Sequence, residues 1–220
     1  MDGLMRNLRY WSRTIGPMVL MIVAMVLGIS LVTELEDIGN IPIAFCRTMS
    51  EFGMLYMIFI MGILGFTVTN NYMPFTLSMG STRRDSFAGM EIMLHLTGLV
   101  MVGIIIGAGI ITGRKASGIL FVSSIIIWLL SVALCNFVGW AQLRFGKAVG
   151  LILYILVLFV GVVGMTVLAA MNEAGTFQKL GLPALYESGW QLAAVAAAIV
   201  ADIVLLLLYK RKVRKMEVRV

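Results

Sequence analysis

Residues 118 to 140 read GILFVSSIIIWLLSVALCNFVGW, a run rich in Ile, Leu, Val and Phe without a single charged side chain. A helix rises ~1.5 Å per residue, so ~20 predominantly apolar residues cross the hydrocarbon core of a bilayer. This stretch is long enough. Within lipid no water satisfies backbone N–H and C=O groups, so the run is expected to be a helix, which bonds its own backbone. Working outward, five further runs meet the same criterion: Ile15 to Val32, Ser50 to Thr69, Met90 to Thr112, Ala148 to Ala170 and Trp190 to Tyr209. The expected fold is therefore all-α, a polytopic membrane protein whose single transmembrane domain occupies residues 1–220 with six spans. The second run is the weakest. Met54 to Val68 is cleanly apolar but short, and its outer end leans on Glu51, one turn from Arg47.

Composition agrees with that reading. Of 220 residues 60% are hydrophobic and 13% charged, with a mean hydropathy of +1.00, which argues against a soluble globule with a charged shell. The net charge of +6 does not point to nucleic acid, because the basic residues sit in short clusters between apolar runs. With the N-terminus inside, the inner segments hold Arg6, Arg9 and Arg13, then Arg83 and Arg84, then Arg144 and Lys147, and finally the cluster from Lys210 to Arg219. Of the 17 Lys and Arg, the outer segments hold only Arg47, Arg114, Lys115 and Lys179, whereas Glu34, Glu36, Asp37, Glu51, Glu173 and Glu187 face outward. Positive charge favours the cytoplasmic side, so both ends are expected in the cytoplasm. Trp11, Trp140 and Trp190 fall at expected span ends, where an amphipathic ring is favoured.

The first run follows a basic stretch, as in a signal peptide, but ends in Thr33-Glu34-Leu35-Glu36-Asp37 with no small-residue cleavage site, so it reads as a retained span. Met1 to Arg13 reads either as an interfacial helix with arginines toward headgroups or as the positive flank of a signal anchor. The C-terminal basic cluster reads as a topology anchor rather than a binding tail.

Several chemistries lack their residues. A phosphate-cradling loop needs G-x-x-x-x-G-K-[ST], and Gly146-Lys147 is followed by Ala148 and preceded by Ala141 where the first Gly belongs. His95 is the single histidine, and neither a G-x-S-x-G elbow nor H-E-x-x-H occurs. Cys46 and Cys135 stand in unrelated contexts without metal-ligand spacing. No catalytic residue and no metal or cofactor ligand is therefore expected on this chain.

Charged groups inside a span are costly unless they face protein or water. Glu91 and His95 stand four apart on the third span, hence on one face, and either form a proton relay or leave Glu91 to snorkel to the inner interface or pair with an arginine. Asp202 lies deep in the sixth span and shares a face with Ala194 and Ala198. Small residues let a neighbouring helix approach, so Asp202 points into a helix contact or a central lumen, in a structural pairing or on a transport path. Gly103-x-x-x-Gly107 on the third span is a weaker packing signal of the same kind.

The loop between the second and third spans, Asn70 to Phe87, is heavily punctuated. Pro74 suits a first helical position and Gly80 a helix stop, so residues 74 to 79 form one short helix carrying Phe75, Leu77 and Met79. Thr82 with Asp85 matches a capping box opening the third span. Arg83 and Arg84 are odd there, since the helix dipole disfavours cations at an N-terminus, and an acidic partner, headgroups or a protein groove, is expected nearby.

Met79-Gly80-Ser81-Thr82-Arg83-Arg84-Asp85-Ser86-Phe87 resembles the inner-loop pattern of type-2 ATP-binding-cassette exporter permeases, six-span subunits common in bacteria. The resemblance implies a coupling helix that sits in a groove of a separate ATPase subunit, with Phe75 to Phe87 as the contact and the second inner loop, Ala141 to Lys147 with Arg144, as the other. It also implies an N-terminal interfacial helix and an outer re-entrant segment, for which Asn172 to Gly189 with Gly181 and Pro183 has room. ATP and Mg would be bound by the P-loop ATPase subunit, and a second permease subunit, identical or related, would complete the transporter in a bacterial cytoplasmic membrane. The apolar composition suggests a hydrophobic or amphipathic cargo. Two other readings stand beside it: a six-span substrate-capture subunit of a vitamin uptake system, and a membrane scaffold or sensor without cargo.

Overall fold

A computed structural model describes residues 2–33, 40–78, 80, 82–113, 118–156, 159 and 188–215, and among these every regular element is a helix. In chain order they are α1 (Asp2–Thr33), α2 (Ile41–Thr67), a π-helical turn (Val68–Tyr72), α3 (Met73–Ser78), α4 (Arg83–Ile111), α5 (Gly118–Phe145), α6 (Lys147–Leu156) and α7 (Ser188–Arg214). Three are long and apolar enough to cross a membrane: α4, α5 from Phe121, and α7 from Gln191. α2 makes a fourth if its two limbs count as one span. The expected fifth span is represented by α6 alone. Its outer part, almost all of the expected re-entrant segment Asn172 to Gly189, and Met79 lie outside the described residues.

α5 occupies the centre. From Ser131 to Asn136 every residue is buried, so over this stretch the helix turns no face outward, as expected of one that is apolar all round. It packs most extensively on α7 and α2 and also on α4, while α1 lies against α4 and α2. In lipid, burying apolar side chains between helices gains little over leaving them in the tails, so close backbone packing supplies the contact. Glycines permit it here: a Cβ on Gly65 would meet the Cys135 carbonyl oxygen at 2.7 Å, and one on Gly139 the Tyr209 ring at 2.6 Å. The expected Gly103/Gly107 packing face is corrected, since among the described residues nothing lies within 4 Å of a Cβ at either position. Spacing marks a helix face but not whether a neighbour stands on it.

Contacts also set the directions. Gly65 lies beside Cys135, Thr69 beside Gly139 and Tyr209, while Glu91 reaches Asn136 and Gly98 meets Trp128. With Phe87 beside Tyr209 and His95 beside Asp202, α2, α5 and α7 run together and α4 runs against them. The first turns of α1 lie beside Gly89, which faces Asn7 and Trp11. Arg6, Arg9, Arg83, Arg84, Arg144 and the cluster from Lys210 to Arg214 therefore gather at one end of the bundle.

Two expected boundaries move. The amino-terminal segment is no separate interfacial helix, because α1 continues unbroken from Asp2 to Thr33. Trp11, expected at the lipid interface, is fully buried, its ring 6.0 Å from that of Tyr72. α2 begins at Ile41 rather than Ser50, with a proline in its first turn, and bends by 66° between Ser50 and Phe52. The Ser50 hydroxyl donates to the Arg47 carbonyl at 2.9 Å, a back-bond of the kind that bends helices.

Candidate functional site: a pinned connector and a buried polar cluster

α2 does not stop at the connector but passes through the π turn into α3. π turns leave irregular bonding, and they recur at functional sites. Within this one, Thr69 Oγ1 is 3.1 Å from the Gly65 carbonyl, to which it donates, and 2.7 Å from the Tyr209 hydroxyl on α7. α3 then holds Pro74 in its first turn and buries Thr76, whose hydroxyl lies 2.5 Å from that of Ser86 on α4. Gly80 takes φ +79°, a left-handed conformation that suits glycine, and its N–H donates to the Leu77 carbonyl at 3.0 Å. Thr82 caps α4, accepting from the Asp85 N–H at 3.1 Å. The helix expected over residues 74 to 79 runs instead from Met73 to Ser78 as a continuation of α2, the stop at Gly80 and the cap at Thr82 stand as expected, and two hydroxyl pairs fasten the loop to α4 and α7.

The side chains of the loop part company. Phe75 is 49% exposed and packs its ring 5.6 Å from Tyr10. Phe87, expected at a partner's surface, is instead buried edge-on against Tyr209 at 5.3 Å, so it anchors the loop. Arg83 answers the oddity of a cation at a helix start by reaching across: its guanidinium donates to the Arg214 carbonyl at 3.0 Å, at the C-terminal end of α7 where the dipole favours positive charge. Arg84 is exposed, and Asp85 is half-buried. In the second connector, exposed Arg144 stacks over the rings of Trp140 and Phe145 at 5.3 and 5.2 Å.

Deeper in the bundle the ionisable residues converge from three helices. Glu91 and His95 come from α4, Asp202 from α7, and between them stands Asn136 of α5. Glu91 does not snorkel, and among the described residues it pairs with no arginine. It is 7% exposed, and its Oε2 accepts from Asn136 Nδ2 at 3.4 Å. His95 Nε2 lies 3.7 Å from Asp202 Oδ2, and its ring meets Trp128 edge-on at 5.8 Å. The expected Glu91–His95 face is real, but each residue takes its partner from another helix. Asp202 shares its buried stripe with Ala198, Tyr209 and Val213, and Ala194 is exposed. One oxygen each of Glu91, Asn136 and Asp202 is buried without a hydrogen bond among the described residues. Such a group can hold or pass a proton and can switch interhelical bonds with it. Among the described residues it carries no metal-binding set of three His, Cys, Asp or Glu.

Asn136, Thr69, Thr76, Ser86 and Tyr209 were not singled out by sequence reasoning. Asn136 had a signal, as an amide in an otherwise apolar run. The hydroxyls had none, since Ser and Thr commonly bond their own helix backbone. No family model matches the chain, and no curated protein or solved structure matches it.

Proposed function

We propose that this chain is the permease subunit of an ATP-binding-cassette transporter, an exporter of hydrophobic or amphipathic cargo in a bacterial cytoplasmic membrane, working with a second permease subunit and separate ATPase subunits that bind ATP and Mg. One observation carries the reading: both connectors at the cationic end expose an aromatic tip, Phe75 at 49% and Phe145 at 50%, and the first is fastened to the helices behind it. A partner that grips Phe75 pulls on α3, and the Thr76–Ser86 and Thr69–Tyr209 pairs pass that displacement to α4 and α7. Those two helices meet again at His95 and Asp202, where a relative shift changes the polar cluster. ATP-driven closure of the partner would thus alternate access through the bundle.

The test is to purify the full chain in mild detergent and ask whether a P-loop ATPase accompanies it. Phe75→Glu is expected to abolish the association and the stimulation of ATP turnover, whereas Thr76→Val keeps the association and weakens the stimulation. A monodisperse wild-type chain that brings no ATPase overturns the proposal.

A further inference from the structure

Between α4 and α7, at the cationic end, lies a cavity of about 420 Å³, within the range of small-ligand pockets (~300–1,000 Å³). Arg83 and Arg84 from the first turn of α4 and Lys210 and Arg214 from the last turns of α7 line it. Between those cations the walls are apolar, formed by Ala88, Ile92 and Leu206. Glu91 is the single acid in the lining, and its Oε2 is already engaged by Asn136.

The combination is selective. A soluble anion would satisfy the cations but leave the apolar walls in contact with water, and a neutral lipid would cover the walls but leave four positive charges uncompensated. A molecule with an anionic head and a hydrocarbon tail does both, and the tail can leave sideways into the bilayer, because Ile92 and Leu207 beside the cavity are themselves exposed. We propose that this cavity binds an anionic phospholipid, its phosphate between Arg84 and Lys210 and the head of its acyl chain on Ala88, Ile92 and Leu206. The inference stands on the cavity alone and does not require the permease reading.

The probe is phosphatidylglycerol. The full chain is reconstituted in nanodiscs of phosphatidylcholine containing a minor share of phosphatidylglycerol, and the lipids it retains on release are counted by native mass spectrometry. Wild type is expected to retain phosphatidylglycerol in preference to phosphatidylcholine. Arg84→Gln with Lys210→Gln is expected to lower that preference by roughly tenfold or more. Ala88→Trp keeps every cation but fills the apolar slot, and is expected to lose the preference as well. Arg6→Gln with Arg9→Gln, on exposed α1 positions, is expected to keep it. The proposal is overturned if wild type shows no preference, if Ala88→Trp binds like wild type, or if inorganic phosphate releases the bound lipid, which would reduce the site to an anion site. Should the double Gln variant fail to fold, the Ala88→Trp and phosphate arms decide alone.

Discussion

A single amide ties α5 to α4 in the polar interior. Asn136 is fully buried, and its Nδ2 is the donor that Glu91 Oε2 receives. Hydrogen bonds between membrane helices contribute modestly, about 0.5–2 kcal/mol, and stranding a buried acceptor adds its desolvation cost. Asn136→Leu is therefore expected to lower stability by about 1–3 kcal/mol, read as an earlier thermal unfolding transition in detergent. Glu91→Gln, which keeps an acceptor oxygen for the amide, should lose less. An Asn136→Leu protein that unfolds at the wild-type temperature would remove the amide from the account. That Glu91 and His95 share a face was legible from their spacing. Their true partners were not, because a helix period says nothing about which residue of another helix arrives opposite.

At the scale of the element, glycines on one helix do unlike jobs. On α4, a Cβ at Gly98 would lie 2.1 Å from the Trp128 ring, whereas a Cβ at Gly103 would meet nothing within 4 Å among the described residues. Gly98→Ala must push the indole away and with it the edge contact to His95, so a loss of about 1–3 kcal/mol and a shifted tryptophan emission are expected. Gly103→Ala is expected to leave both unchanged. Equal effects from the two substitutions would contradict the α4–α5 packing described above. The sequence marked Gly103 and Gly107 by their spacing and passed over Gly98, although Gly98 is where the helices touch. The connector was more readable, since Pro74, Gly80 and Thr82 act through local backbone geometry.

For the whole molecule, the helix directions bring Arg9, Arg84, Arg144 and Arg211 to one end and Gly113, just past the end of α4, to the other. Single cysteines at the four arginine positions, in a background lacking Cys46 and Cys135, are expected to react with a membrane-impermeant maleimide from the same side. A cysteine at Gly113 should react from the opposite side. If positive charge sets orientation, the arginine positions are shielded in intact cells and open in inverted vesicles. Labelling of Arg84 and Arg144 positions from different sides would break the arrangement.

Length, apolarity and charge distribution determined by themselves that this chain is helical and suited to a membrane, because those properties act through solvent and through backbone bonds local to each helix. Local chemistry likewise determined the turn at Gly80 and the cap at Thr82. Tertiary structure alone decided that Phe87 turns inward, that Arg83 reaches the end of α7, and that Asn136 of α5 meets Glu91 of α4. Those outcomes depend on the rotation and depth of one helix against another, which close packing sets and a one-dimensional pattern does not record.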